Sequence, residues 1–296
     1  MRTLILRPSA KLNLMLRVGA AGADGYHDVR TLLQSISLHD TMTMSARRGP
    51  LAISARAPGM PAERDNLIWR AAEQLWAAIG RPGEPRDAHV KLDKKIPMAA
   101  GLGGGSADAA AALAALNVIW EARLPRRDLM RIAAAVGADV PFFLQGGTAI
   151  GVGRGDEIYP VDDVNRLGVV IVKPSFGVGT ADAYRWCDED RAANVDGPGR
   201  DTARAIDVGW PSGPVLLKND LQAPVTRRHP EIDEIVWACL REGALGASMT
   251  GSGSAVFAVF AESVARKACR RLQRPEWLVL LARTLSRREA ARRIGL

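Results

Sequence analysis

The chain is poor in several residue types, and each shortage narrows what it can be. It has three cysteines, Cys187, Cys239 and Cys269, far apart and without a Cys-x-x-Cys pair. That spacing argues against a disulfide framework and a zinc ribbon, and it fits a reducing cytoplasm. Aromatic residues make up 5% of the chain and are not interleaved with its basic residues, which argues against a nucleic-acid platform despite a net charge of +8. No apolar run reaches membrane-spanning length, and the opening Met1-Arg-Thr-Leu-Ile-Leu-Arg-Pro8 has too short an apolar stretch for a signal peptide. Lysine is scarce as well: seven of 40 basic residues, with Lys11 alone in the first 90 positions. Where arginine serves nearly every surface need, a lone compact ammonium near the start marks a position to follow.

What is present is a globular composition with one conspicuous stretch. At 47% hydrophobic and 24% charged over 296 residues, the chain can bury one large or two ordinary cores. Its basic excess suits phosphorylated, anionic substrates as well as nucleic acid. Residues 97–112 carry Gly101, Gly103, Gly104 and Gly105, then Ser106, between an expected strand over 88–96 and an Ala-rich helix reaching Trp120. Glycines let successive N–H groups converge on one point, and the helix N-terminus adds free donors and partial positive charge. Strand, loop and helix make an anion cradle, with Ser106 as the expected N-cap. The Walker pattern is absent because no lysine follows the glycines, and the dinucleotide fingerprint fails because its last glycine is Ser106.

Other candidates lie in separate segments. Tyr26 and His27 sit on a turn-rich loop where a planar ligand could be stacked and hydrogen-bonded. Asp139 follows Gly137, the expected end of a helix over 128–136, and precedes apolar sequence. It can be an N-cap, a partly desolvated general base, or both. Thr250, Gly251 and Ser252 open a second glycine loop, open equally to a ligand contact and to a hairpin turn. Asp65 is the expected cap of a helix over 67–79. The stretch 188–213 reads as a mobile insertion, and the basic tail 283–293 as a solvated face.

Three of these stretches together resemble the GHMP kinases, the family of galactokinase, homoserine kinase and mevalonate kinase. Residues 97–112 resemble its signature glycine loop, Pro8-Ser-Ala-Lys-Leu-Asn13 its first motif and Thr250-Gly-Ser-Gly-Ser254 its third. Asp24-Gly-Tyr-His27 and Gly137-Ala-Asp-Val-Pro-Phe-Phe143 resemble the branch that acts on a cytidylyl sugar-alcohol diphosphate in isoprenoid biosynthesis. The resemblance implies an α+β fold of two domains, ribosomal protein S5 domain 2-like over 1–155 and ferredoxin-like over 156–296. It implies ATP and Mg²⁺, a cytoplasmic monomer or homodimer, and no nucleic-acid or membrane partner.

It also implies roles. Asp139 would be the base and Lys11 its charge partner. ATP would lie on Pro97, Met98, Ala99, Ala100, Gly101, Leu102, Gly103, Gly104, Gly105 and Ser106, with Asn66 nearby. The acceptor would meet Asn13, Tyr26, His27, Tyr184, Thr250, Gly251 and Ser252. The metal ligands are not indicated. Ala107 departs from the family, where many relatives carry a second serine, and 188–213 matches nothing in it. A homoserine- or mevalonate-type kinase is the nearest alternative, and an RNA-binding module the alternative of another class.

Overall fold

The computed structural model describes residues 3–23, 25–55, 63–164, 166–193, 195 and 217–296; Asp24 and most of the 188–213 stretch lie outside them. The first half runs β1 (Thr3–Leu6), β2 (Ser9–Ala21), β3 (His27–His39), β4 (Thr41–Pro50), β5 (Ala52–Ala55), α1 (Leu67–Ala78), β6 (Arg86–Asp93), α2 (Gly104–Ile119), α3 (Arg126–Val136), α4 (Val140–Gln145), β7 (Thr148–Val152) and β8 (Glu157–Pro160). The second half continues with β9 (Gly168–Pro174), α5 (Thr180–Ala192), β10 (Lys218–Asn219), α6 (Gln222–Arg228), α7 (Glu231–Arg241), β11 (Gly246–Met249), β12 (Val256–Phe260), α8 (Glu262–Arg271), β13 (Trp277–Arg283) and α9 (Arg287–Arg293).

These strands form three sheets, in the orders β1-β4-β6-β5, β10-β2-β3-β7-β8 and β11-β12-β9-β13. Pairing is antiparallel except for β5 on β6 and β10 on β2. Mostly antiparallel sheets with separate helical layers make this the expected α+β fold.

Three apolar clusters hold the layers together. One packs α1 to α4 on β4 and β6. A second packs α5 to α8 on one face of the β9/β12 sheet, through Val170, Val172, Val256, Ala258 and Phe260. The alternate residues Val169, Ile171, Phe257 and Val259 point the other way, toward Ala10, Leu12 and Leu14 of β2 and Ala100 and Leu102 of the glycine loop. Side chains alternate across a strand, so a sheet buried on both faces reads as a continuous apolar run. That is why 169–172 and 255–260 show no polar alternation, and why the glycine loop is anchored in the seam between the two halves.

Four local expectations change. Helix α2 begins at Gly104 with the left-handed Gly103 (φ 70°) in the capping position, so Ser106 lies inside the first turn and is not the cap. Asn66, not Asp65, caps α1, its side-chain oxygen accepting from Ile68 N at 3.0 Å. Gly137 ends α3 with extended backbone (φ 177°), so its glycine character is not needed for a left-handed cap. The basic tail is not a plain solvated face. It folds as α9 behind a Ser286/Glu289 capping box, and Arg293 donates to Ser37 O at 3.0 Å and to Ser9 Oγ at 3.2 Å, returning the C-terminus to the first half.

Candidate active site

One cavity of about 1010 Å³ lies between the halves. Its walls include Lys11, Asn13, Tyr26, His27, every residue from Pro97 to Ser106, Asp139, Tyr184, Gly251 and Ser252. Two expected residues stand apart from these walls. Thr250 is fully buried behind them, and Asn66 is buried as the α1 cap.

The glycine loop forms the floor. Lys11 N donates to Leu102 O at 3.0 Å, and Ala255 N reaches Ala100 O at 3.4 Å, so the loop is held by the first motif on one side and the third on the other. A Cβ on Gly101 would lie 1.9 Å from Thr250 O, and one on Gly103 would lie 2.7 Å from the Phe143 ring. Glycine is needed at both places for approach as well as for positive φ. Ala107 N is the first α2 donor satisfied by a backbone carbonyl, Gly103 O at 2.9 Å. The earlier N–H groups of the turn precede any intrahelical acceptor and lie at the cavity, where an anion is favoured.

Across the floor lies a charged pair. Lys11 is nearly buried on β2, and its Nζ sits 3.6 Å from Asp139 Oδ2. It also donates to Asn13 Oδ1 at 2.5 Å. Asn13 Nδ2 donates to Thr31 Oγ1 at 2.8 Å, and Thr31 Oγ1 donates in turn to Met15 O at 2.7 Å. This chain fixes the Asn13 amide and, through it, the ammonium. Asp139 occupies the N-cap position of α4 without a side-chain cap bond, so its carboxylate, 38% exposed, faces the cavity instead of its own helix.

The third wall is aromatic. The His27 and Tyr184 rings lie 4.9 Å apart, tilted by 43°. Tyr26 is mostly exposed, with the Arg154 guanidinium 4.1 Å from its ring centre. His27 Nε2 faces both Asp188 oxygens at 2.9 and 3.0 Å. Burial, aided by the charges of Asp139 and Cys187, pushes the Tyr184 phenol up to about 12, so it stays protonated across the neutral range.

Several contributors escape a reading by motif. Asn219 donates to Met249 O at 2.8 Å and Gly251 O at 2.7 Å, bracing the second glycine loop. Thr180, at the start of α5, meets Ser252 Oγ at 3.2 Å. Asp188 lies on α5, within the stretch expected to be an insertion. None of these carries a local signal; each is brought in by a partner 30 or more residues away in the chain.

Residues 66–147 match the family described as GHMP kinases N terminal domain, and residues 199–275 match GHMP kinases C terminal. A Moorella thermoacetica protein named 4-diphosphocytidyl-2-C-methyl-D-erythritol kinase is 41% identical over 289 residues, covering 96% of this chain and 100% of that one. A crystal structure of 4-(cytidine 5'-diphospho)-2C-methyl-D-erythritol kinase superposes with a TM-score of 0.74 at 32% identity, covering 95% of this chain and 99% of that one. Homoserine kinase from Cytophaga hutchinsonii shares the fold, with a TM-score of 0.70 at 18% identity, covering 97% of this chain and 95% of that one. The likeness runs along nearly the whole chain, and the protein belongs to the GHMP kinase family.

Proposed function

We propose that the protein transfers the γ-phosphate of ATP to the 2-hydroxyl of 4-diphosphocytidyl-2-C-methyl-D-erythritol. One observation carries this reading: the Lys11–Asp139 pair, the glycine floor and the Tyr26/His27/Tyr184 wall share a single cavity. Phosphoryl transfer asks a protein chiefly for positioning and charge stabilisation. Residues 1–155 carry the nucleotide cradle and the base, and residues 156–296 close the acceptor side.

In this account the N–H groups of the α2 first turn hold the triphosphate. Asp139 accepts the proton of the acceptor hydroxyl, and Lys11 stabilises the alkoxide charge that develops. His27 and Tyr184, in contact with each other, form one aromatic face against which a pyrimidine would stack, with Tyr26 at the mouth. Among the described residues no group of three or more His, Cys, Asp or Glu could hold a metal. Mg²⁺ keeps several waters and binds mainly through substrate phosphates, so it asks for few protein ligands. Ser106 and Asp139 are among the oxygen-bearing residues that line the cavity, and the ion would offset phosphate charge there. A mevalonate or homoserine acceptor offers no ring for the aromatic wall. The three free thiols are buried, in keeping with a reducing cytoplasmic setting.

The test is product analysis. Incubation of this acceptor with ATP and Mg²⁺ should give ADP and, by phosphorus NMR, a new monophosphate ester on the tertiary carbon. An unchanged acceptor spectrum under those conditions refutes the proposal.

A further inference from the structure

Beneath the glycine floor lies a charged group that the proposed chemistry does not use. Asp40, at the junction of β3 and β4, is fully buried. Its Oδ1 accepts from Lys95 N at 2.5 Å and Ile96 N at 2.8 Å, and its Oδ2 accepts from Lys94 Nζ at 2.5 Å. Lys94 Nζ continues to Asp108 Oδ2 at 2.8 Å, in α2. Three residues just before the loop and one just after it are therefore tied to a single carboxylate.

We infer that Asp40 is a positioning residue for nucleotide binding, holding both ends of the phosphate loop in register through Lys94 and Asp108. Stability alone explains the arrangement poorly. Two buried carboxyl groups face one ammonium, and Asp108 Oδ1 is buried without a hydrogen-bond partner. A buried, uncompensated oxygen costs free energy that apolar packing would not. What the network does supply is geometry. The ammonium crosses directly under the loop, where a Cβ on Gly104 would come within 3.2 Å of it and 2.9 Å of Ile96 Cγ2. The α2 N–H groups are thereby set relative to the β6 exit. Lys94 borders the cavity, whereas Asp40 and Asp108 do not. Any effect of those two carboxylates on nucleotide must travel through the loop.

This rests on the reading of the loop as an ATP cradle, and the test separates the two. ADP and the cytidylyl acceptor are titrated calorimetrically into wild-type protein, Asp40→Asn and Asp108→Ala, with a thermal melt of each. Asp40→Asn should weaken ADP on the order of tenfold while leaving acceptor affinity within about twofold, as expected for displaced but intact donors. Asp108→Ala removes the bare oxygen and the buried carboxyl that carries it. It should weaken ADP likewise while melting no lower than wild type, a split that a merely structural role would not produce. If Asp40→Asn does not fold, Asp108→Ala decides alone. Wild-type ADP affinity in the variants, or equal loss of ADP and acceptor, overturns the inference. A wild-type protein that fails to bind ADP overturns the cradle reading instead.

Discussion

Gly101 and Gly105 stand four residues apart in the same loop, and the structure assigns them opposite responses to one added methyl. At Gly101 (φ +73°) a Cβ would sit 1.9 Å from Thr250 O and 2.9 Å from Thr250 C, both backbone atoms that cannot rotate away. A left-handed alanine costs roughly 1–2 kcal/mol, and overpacking a closed contact roughly 1–3 kcal/mol. Gly101→Ala should therefore lose about 2–5 kcal/mol, a fall in Tm on the order of 10 °C for a chain of this size. Because the clash pries the glycine loop from the third motif, the KM for ATP should rise as well. At Gly105 the nearest atom is Leu67 Cδ1 at 3.6 Å, an ordinary contact, and the residue lies in the first turn of α2. Gly105→Ala should leave Tm unchanged or raise it by the equivalent of up to about 1 kcal/mol. Differential scanning calorimetry with ATP kinetics on both variants checks the pair. Equal melting of Gly101→Ala and wild type would show that the two glycine loops are not docked as described.

Asp139→Asn should abolish turnover while ADP still binds, because the nucleotide phosphates are held mainly by the backbone N–H groups of the α2 first turn; single-turnover kinetics near the wild-type rate would remove it as the base. Tyr26→Ala should raise the acceptor KM and spare ATP, since Tyr26 is an exposed ring at the mouth; a parallel rise for both substrates would make it structural. Burial, together with the neighbouring Asp40 charge, raises the Asp108 carboxyl from 3.8 to about 8, with Lys94 opposing. A carboxyl raised on folding contributes stability below its unfolded pKa, and that contribution falls away as pH climbs through the folded value. Between about pH 4 and 8 this group should lower stability by up to about 1.4 kcal/mol per pH unit. Asp108→Asn should flatten that slope in urea titrations, and an unaltered slope would mean that Asp108 does not hold a proton.

The parts of the site that sequence conveys are those whose chemistry is local. Residues 101–106 announce a cradle because the glycines, the strand before and the helix after are contiguous. Lys11 stands out by rarity, and Asp139 by lying past a helix end among apolar residues. Asp40 is a contrast: in the sequence it separates two strands, and its importance comes from meeting Lys94, Lys95 and Ile96 more than 50 residues on. Asn219 and Asp188 are similar, being polar residues whose partners are fixed by sheet pairing and helix packing. Two departures had a local signal. Ser286-x-x-Glu289 is a capping-box pattern inside the basic tail, and it marks α9. The double glycine Gly104-Gly105 after Gly103 allowed the left-handed turn to fall earlier than the Ser106 hydroxyl suggested. In both cases charge or side-chain preference pointed one way, while backbone geometry and burial decided the other.

The central claim is that the acceptor carries a cytidine, and the most direct measurement is ADP release from ATP and Mg²⁺ across a panel of acceptors. The panel holds 4-diphosphocytidyl-2-C-methyl-D-erythritol, the same sugar alcohol phosphate without its cytidylyl group, homoserine, mevalonate and galactose. Turnover with the first compound alone is the predicted result. Comparable turnover of homoserine or mevalonate would contradict the aromatic wall as a cytidine site while leaving the phosphate floor intact.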